Sequence, residues 1–158
     1  MGIEIKNSFF SKPFLFSLFF VQNKWHQHGV FLHTMRVIYY TLKAGEIKMI
    51  ATALLHDLGK PSTAYVKDEE DKEFNEYSFT NHEEKSYQLI KNWFFISNYT
   101  KKMVRYHYLI RDMKKSYTED KSRYHVKKEI WDSLSLEMQK DLETFLRFDD
   151  LGKGKKRR

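Results

Sequence analysis

The 158-residue sequence contains no cysteine. That excludes disulfides and thiolate zinc sites, so any metal must be held by histidine and carboxylates. The absence also fits a reducing cytoplasm, the compartment expected for this chain. Two prolines and six glycines are few helix breakers among so much Leu, Lys, Glu and Phe, which predicts an all-α protein. Long apolar runs are missing too. The most apolar stretch, "FFSKPFLFSLFFV" at 9–21, is interrupted by Lys12 and Pro13 and falls short of the roughly 20 residues of a membrane span. No small-residue cleavage site follows it. With Ser11 as cap and Pro13 in the first turn, it reads as a buried opening helix, and no membrane partner is expected.

Charge of one sign is also scarcer than the total implies. The net charge is +7, but Lys153, Lys155, Lys156, Arg157 and Arg158 supply five of those charges. The expected organisation is therefore one domain over 1–152, with its core at about 28–152, and a basic tail over 153–158. Such a tail adds at most a weak, salt-sensitive attraction to nucleic acid.

What is present is helical punctuation. Helices are expected from Val30 to Lys43, stopping near Gly45, and from Glu46 to Leu58, with Gly59 and Pro61 as stops. A polar acidic loop follows at about 62–79, with strand-like alternation only weakly discernible. "TNHE" at 80–83 has the capping-box pattern, Thr80 as cap and Glu83 reaching back. Further helices are expected at about 100–111 and from Leu136 to Asp150, ending at Gly152.

Projection at about 100° per residue places the polar residues. Over 46–58, Ile47, Ile50, Ala51, Leu54, Leu55 and Leu58 form one apolar face. His56 lies nearly opposite, grouped with Met49, Thr52 and Ala53, and Asp57 falls between. The direction midway between His56 and Asp57 crosses Ala53, whose methyl leaves a hollow, and Lys60 projects the same way if the helix continues. His33 shares a face with Val30, Val37, Tyr40 and Ala44. Asp149 lies on the stripe Met138, Leu142, Phe145 and Leu146, whereas Asp150 falls near Arg147. An ionised aspartate on a core stripe is costly unless paired or metal-bound. His82 opens its helix, and His107 shares a stripe with Met103, Val104 and Ile110. Inward His and Asp on five helices point to a divalent metal, and ligand type alone allows Mn, Ni, Co, Fe or Mg. His26, His28 and His125 flank the pattern and are read as ordinary histidines.

His33, the "HD" pair at 56–57 and a late Asp149 resemble the HD superfamily of metal-dependent phosphohydrolases. "FLHTMRVI", "ATALLHDLGKPSTAY", "FTNHEEKSYQLI", "MVRYHYLIRD" and "FLRFDDLGKG" stand in the order found in the HD domain of bacterial tRNA nucleotidyltransferases. The likeness covers about 28–154. No nucleotidyltransferase head is present, so the expectation is a stand-alone HD domain with the PDEase-like helical bundle. The resemblance implies that His33, His56, Asp57 and Asp149 hold a first metal. His82 and His107 would face a second metal or the substrate phosphate. Several two-metal branches carry a further His directly after the position of His107, where this chain has Tyr108, which leaves one or two ions open.

The implied chemistry is phosphoester hydrolysis. Asp57 would orient or deprotonate water, Lys60 would clamp phosphate, and His82 or His107 would assist the leaving oxygen. Arg111 is a further phosphate-binding candidate. The implied substrates are nucleotides or RNA ends, as 2′,3′-cyclic phosphates and 2′-nucleotides. The alternatives are a nucleotidase or dinucleoside-polyphosphate hydrolase, or a non-catalytic module binding nucleic acid or a partner.

Overall fold

The computed structural model describes residues 26–69, 73 and 77–154. The expected opening helix at 9–21, with Ser11 and Pro13, lies outside the described residues, as do Lys155, Lys156, Arg157 and Arg158. Among the described residues the architecture is all-α, with one isolated antiparallel bridge, Tyr65 to Ser78, in the connecting loop. None of their helices is long and apolar enough to cross a membrane.

Helix α1 spans Val30–Lys43 and ends at Gly45, whose φ of 77° suits a residue without Cβ. A single 3-10 turn, Ile47–Met49, leads into α2, Ile50–Leu55. The chain turns at 56–59 and forms the short α3, Lys60–Thr63. Helices α4 (His82–Ile90), α5 (Asn98–Tyr106), α6 (Leu109–Glu119), α7 (Lys121–Ser133) and α8 (Leu136–Lys153) follow. Ser97, Asp120 and Ser135 cap α5, α7 and α8 by accepting from Thr100, Arg123 and Met138 amides. The main core joins Val37, Met49, Ala53, Met103, Leu142 and Phe145 from α1, α2, α5 and α8 and the turn before α2. Leu55, Ile90 and Val104 form a second cluster beneath α4.

Several expectations need correction. The helix expected over 46–58 stops at Leu55, and only part of its projected apolar face is buried, Leu55 being in the core. Met49, Thr52, Ala53 and His56 are fully buried, while Ile47 is 73% exposed and Leu54 53%. The polar side chains must meet those of α1, α5 and α8 inside the bundle, so their face turns inward and part of the apolar stripe turns out. Ala53 accordingly packs in the core rather than beneath a hollow. Pro61 does not stop a helix: it occupies the first turn of α3, where a missing N–H costs nothing. The helix expected at 100–111 is broken at His107–Tyr108 into α5 and α6, and α7 was not expected. The capping box does not form, because Asn81 is the N-cap, with φ of 59° and no side-chain cap bond, and Thr80 instead meets the Tyr65 hydroxyl at 2.9 Å.

The close approach of α4 to the turn after α2 requires Gly59. A Cβ there would stand 2.3 Å from the His82 carbonyl oxygen and 2.6 Å from the Ser86 amide nitrogen. Both are backbone atoms, so α4 itself must move. Gly59→Ala should lower unfolding free energy by about 1–3 kcal/mol, read as a shifted denaturant midpoint; an unchanged midpoint would contradict this packing.

Candidate metal centre

His56 is the C-cap of α2, with helical φ of −59° and ψ of −35°, and Asp57 follows in the turn, so a long imidazole and a short carboxylate flank the same space from adjacent directions. His33 Nε2 lies 3.4 Å from Asp57 Oδ2 and 3.0 Å from Asp149 Oδ1. His56 Nε2 lies 3.3 Å from Asp57 Oδ2, 3.6 Å from Asp149 Oδ1 and 3.3 Å from His33 Nε2. A second group adjoins the first. His82 Nε2 is 3.3 Å from His107 Nε2 and 3.6 Å from the other Asp57 oxygen, Oδ1. Asp57 therefore presents one oxygen to each group.

Three rings are oriented by backbone carbonyls three residues earlier: His56 by Ala53 at 2.9 Å, His82 by Phe79 at 2.8 Å and His107 by Val104 at 2.7 Å. Ala53 and Val104 lie in the last turns of α2 and α5, where carbonyls lack helical partners. A carbonyl only accepts, so in each ring Nδ1 donates and, in the neutral form, Nε2 carries the lone pair.

Burial holds His107 well below its ordinary value and His82 down to about 4, so both are neutral near pH 7. Two Nε2 lone pairs then face each other at 3.3 Å with no proton between them. A cation is what such a pair accepts. In the first group, burial opposes charge on His56, but the Asp57 and Asp149 carboxylates outweigh it and raise the imidazole to about 9. A proton there occupies the place a metal would take.

The donor set fits divalent ions. Atoms about 2.1 Å from one cation stand roughly 3.0–3.5 Å apart, the spacing of the first group, and each triad's ligand atoms lie within 4.8 Å of one another. Asp57 Oδ2 and His33 Nδ1 are buried and accept or make no aligned hydrogen bond, although Lys60 Nζ is 2.7 Å from that oxygen as an ion-pair partner.

The ion pairs around the centre assign other residues. Arg111 Nη2 reaches Asp149 Oδ2 at 2.8 Å and Asp150 Oδ1 at 2.7 Å. Asp149 thus turns one oxygen to the histidines and the other to a guanidinium. Asp150 is exposed and pairs with Arg111 and Lys153, not with Arg147 as expected. Lys153 is the last residue of α8, with Nζ 3.4 Å from Asp149, so it belongs to the site and not to a tail. It was legible as the residue four after Asp149 on one helix.

Sequence reasoning passed over two more residues. His26 is 8% exposed, its ring edge-on to His33 with centroids 5.2 Å apart; His28 is only partly buried and His125 is exposed. Ser86 is fully buried, its hydroxyl 2.7 Å from the His56 carbonyl and 2.8 Å from that of His82, and it accepts from Gly59 N. One side chain thus ties the HD turn to α4. Its spacing of four from His82 was visible, but nothing in the sequence links it to His56.

Asp57, His82, His107 and Asp149 line an open cleft of about 640 Å³, with His33 and His56 fully buried behind them, a volume within the size range of small-molecule sites. Lys60, Tyr65, Phe79, Tyr108, Arg111 and Lys153 contribute to its walls. The HD domain family profile matches residues 30–142 of the chain. No curated protein matches it, and neither does any solved structure.

Proposed function

The chain belongs to the HD domain family, whose members are generally metal-dependent phosphohydrolases, and from that membership we propose that it hydrolyses phosphoesters of nucleotides or RNA ends. The observation that carries this reading is Asp57, placed with one oxygen toward His33 and His56 and the other toward His82 and His107. That geometry supports a bridging carboxylate between two cation positions. Ions bound there would supply Lewis-acid activation of water and of the phosphoryl group.

The protein's own residues bind and orient. His33, His56 and Asp149 would hold a first ion together with Asp57. His82 and His107, neutral at Nε2 and with Nδ1 committed to backbone carbonyls, are better suited to hold the second ion than to protonate a leaving oxygen. Asp57, with both oxygens engaged, orients the attacking water. Lys60, with Nζ 2.7 Å from Asp57 Oδ2 and on the cleft lining, would add positive charge toward a bound phosphate. Arg111 spends Nη2 on Asp149 and Asp150, while its Nε is buried without a hydrogen-bond partner. Arg111 also lines the cleft, which favours it as substrate-binding as well as ligand-positioning. The basic residues 155–158 add attraction to a nucleic acid.

The likeness to the HD domain of tRNA nucleotidyltransferases favours 2′,3′-cyclic phosphates and 2′-nucleotides as substrates. A panel of these, nucleoside 5′-phosphates, a dinucleoside polyphosphate and a generic phosphodiester, each with Mn, Ni, Co, Fe and Mg, tests the reading. Metal-dependent release of phosphate or ring opening is expected. Absence of hydrolysis across the panel overturns it.

A further inference from the structure

Beyond Asp57, His82, His107 and Asp149, the cleft lining carries a charge pattern that one phosphate does not use. Tyr108, Arg111, Asp112 and Lys115 all line it, spaced i, i+3, i+4 and i+7, so a single face of α6 forms one wall. Arg111 stands beside Asp149. Lys115 follows four residues later, about 6 Å farther along the helix axis. Among the described residues its ion-pair partner is Glu119 at 3.8 Å, with both side chains more than 60% exposed, a loose pair of little worth. Between the two cations, Asp112 is neutralised by Arg123, itself on the cleft lining, at 2.6 Å and by Lys127 at 3.0 Å. The wall is therefore a basic track leading away from the metals. Lys67 adds a cation elsewhere on the cleft lining, on a segment pinned by the paired amides of Tyr65 and Ser78.

We propose that the cleft takes an oligonucleotide end, its terminal phosphate at the metal centre and its next phosphodiester on Lys115. This rests on the phosphohydrolase reading above and narrows its substrate. Two phosphates joined by a single oxygen are the shorter competitor, because side chains four residues apart on a helix can converge on one group, and a nucleoside diphosphate probe separates the two. Successive phosphates of a nucleotide strand are separated by a sugar, and their spacing matches one turn of α6.

The test uses the Mn-loaded full-length chain and three probes whose terminal phosphate is replaced by a non-hydrolysable phosphonate: a dinucleotide, a mononucleotide and a nucleoside diphosphate analogue. At low salt the dinucleotide should bind several-fold more tightly than the mononucleotide. Lys115→Ala should cut that preference about threefold and Lys115→Glu about tenfold, and both exposed substitutions should leave the circular dichroism spectrum unaltered. Equal affinity for the two nucleotides overturns the proposal, as does a preference that survives Lys115→Glu or a diphosphate that loses as much as the dinucleotide. A preference that responds to Lys115 in a protein that hydrolyses none of the corresponding phosphates would support this subsite and remove the phosphohydrolase reading instead.

Discussion

Asp57→Asn gives a folded protein that retains neither metal and hydrolyses phosphoesters about a thousandfold more slowly. The side chain is unique among the ligands in facing both triads, with Oδ2 within 3.4 Å of His33 and His56 and Oδ1 at 3.6 Å from His82. Asparagine has nearly the same shape, so the core around it is kept. It offers one weakly basic oxygen in place of two and no negative charge to balance a cation. Asp149→Asn is the contrast. Asp149 Oδ1 serves only the first triad, and its other oxygen is held by Arg111, so this variant should lose one ion and keep the other. Metal content of the two purified variants, beside their kcat, separates these outcomes. Full metal content and rate in Asp57→Asn would mean that the triads are not the centre.

How much of this was readable beforehand depends on which physics each residue expresses. His33, His56, Asp57, His82, His107 and Asp149 were all named from the sequence, and the structure brings them within reach of one another. Buried ionisable groups at helical spacing are hard to explain by packing, so they stand out in a linear text. The orientation of α2 was not readable. Hydropathy put Ile47 and Leu54 inward, whereas Met49, Thr52 and Ala53 are buried, because the requirement to aim His56 at its partners overrides the apolar stripe. Ser86 and His26 were missed for another reason. Their roles lie in contacts with residues 30 and 7 positions away, which no local pattern encodes. Arg111 was named for phosphate, but its pairing with Asp149 crosses 38 residues and emerged only from the packing of α6 near α8.

Filling the first triad should expel one proton near pH 7, and filling the second should expel none. In the metal-free protein His56 is raised to about 9 because Asp57 and Asp149 overcome the penalty of burial. Its Nδ1 is engaged by Ala53, so the titrating proton is on Nε2, the atom that must face the ion. The folded value lies above the ordinary one of 6.5. The stability this group contributes is therefore complete below that value and is lost as pH rises through 9. Metal affinity runs the other way, strengthening about tenfold per pH unit up to 9 and then levelling, a hundredfold gain between pH 7 and 9. The remaining ligands add nothing to this slope. Burial keeps His33 lowered, His82 at about 4 and His107 well below its ordinary value, while Asp57 and Asp149 are held ionised by the cationic groups around them. Calorimetric titration of Mn in buffers of different ionisation enthalpy counts the protons released at each step. One proton on one step and none on the other assigns the ions to their triads. Equal release on both would show that His82 or His107 also starts protonated, and the facing lone pairs that favour a cation there would not exist.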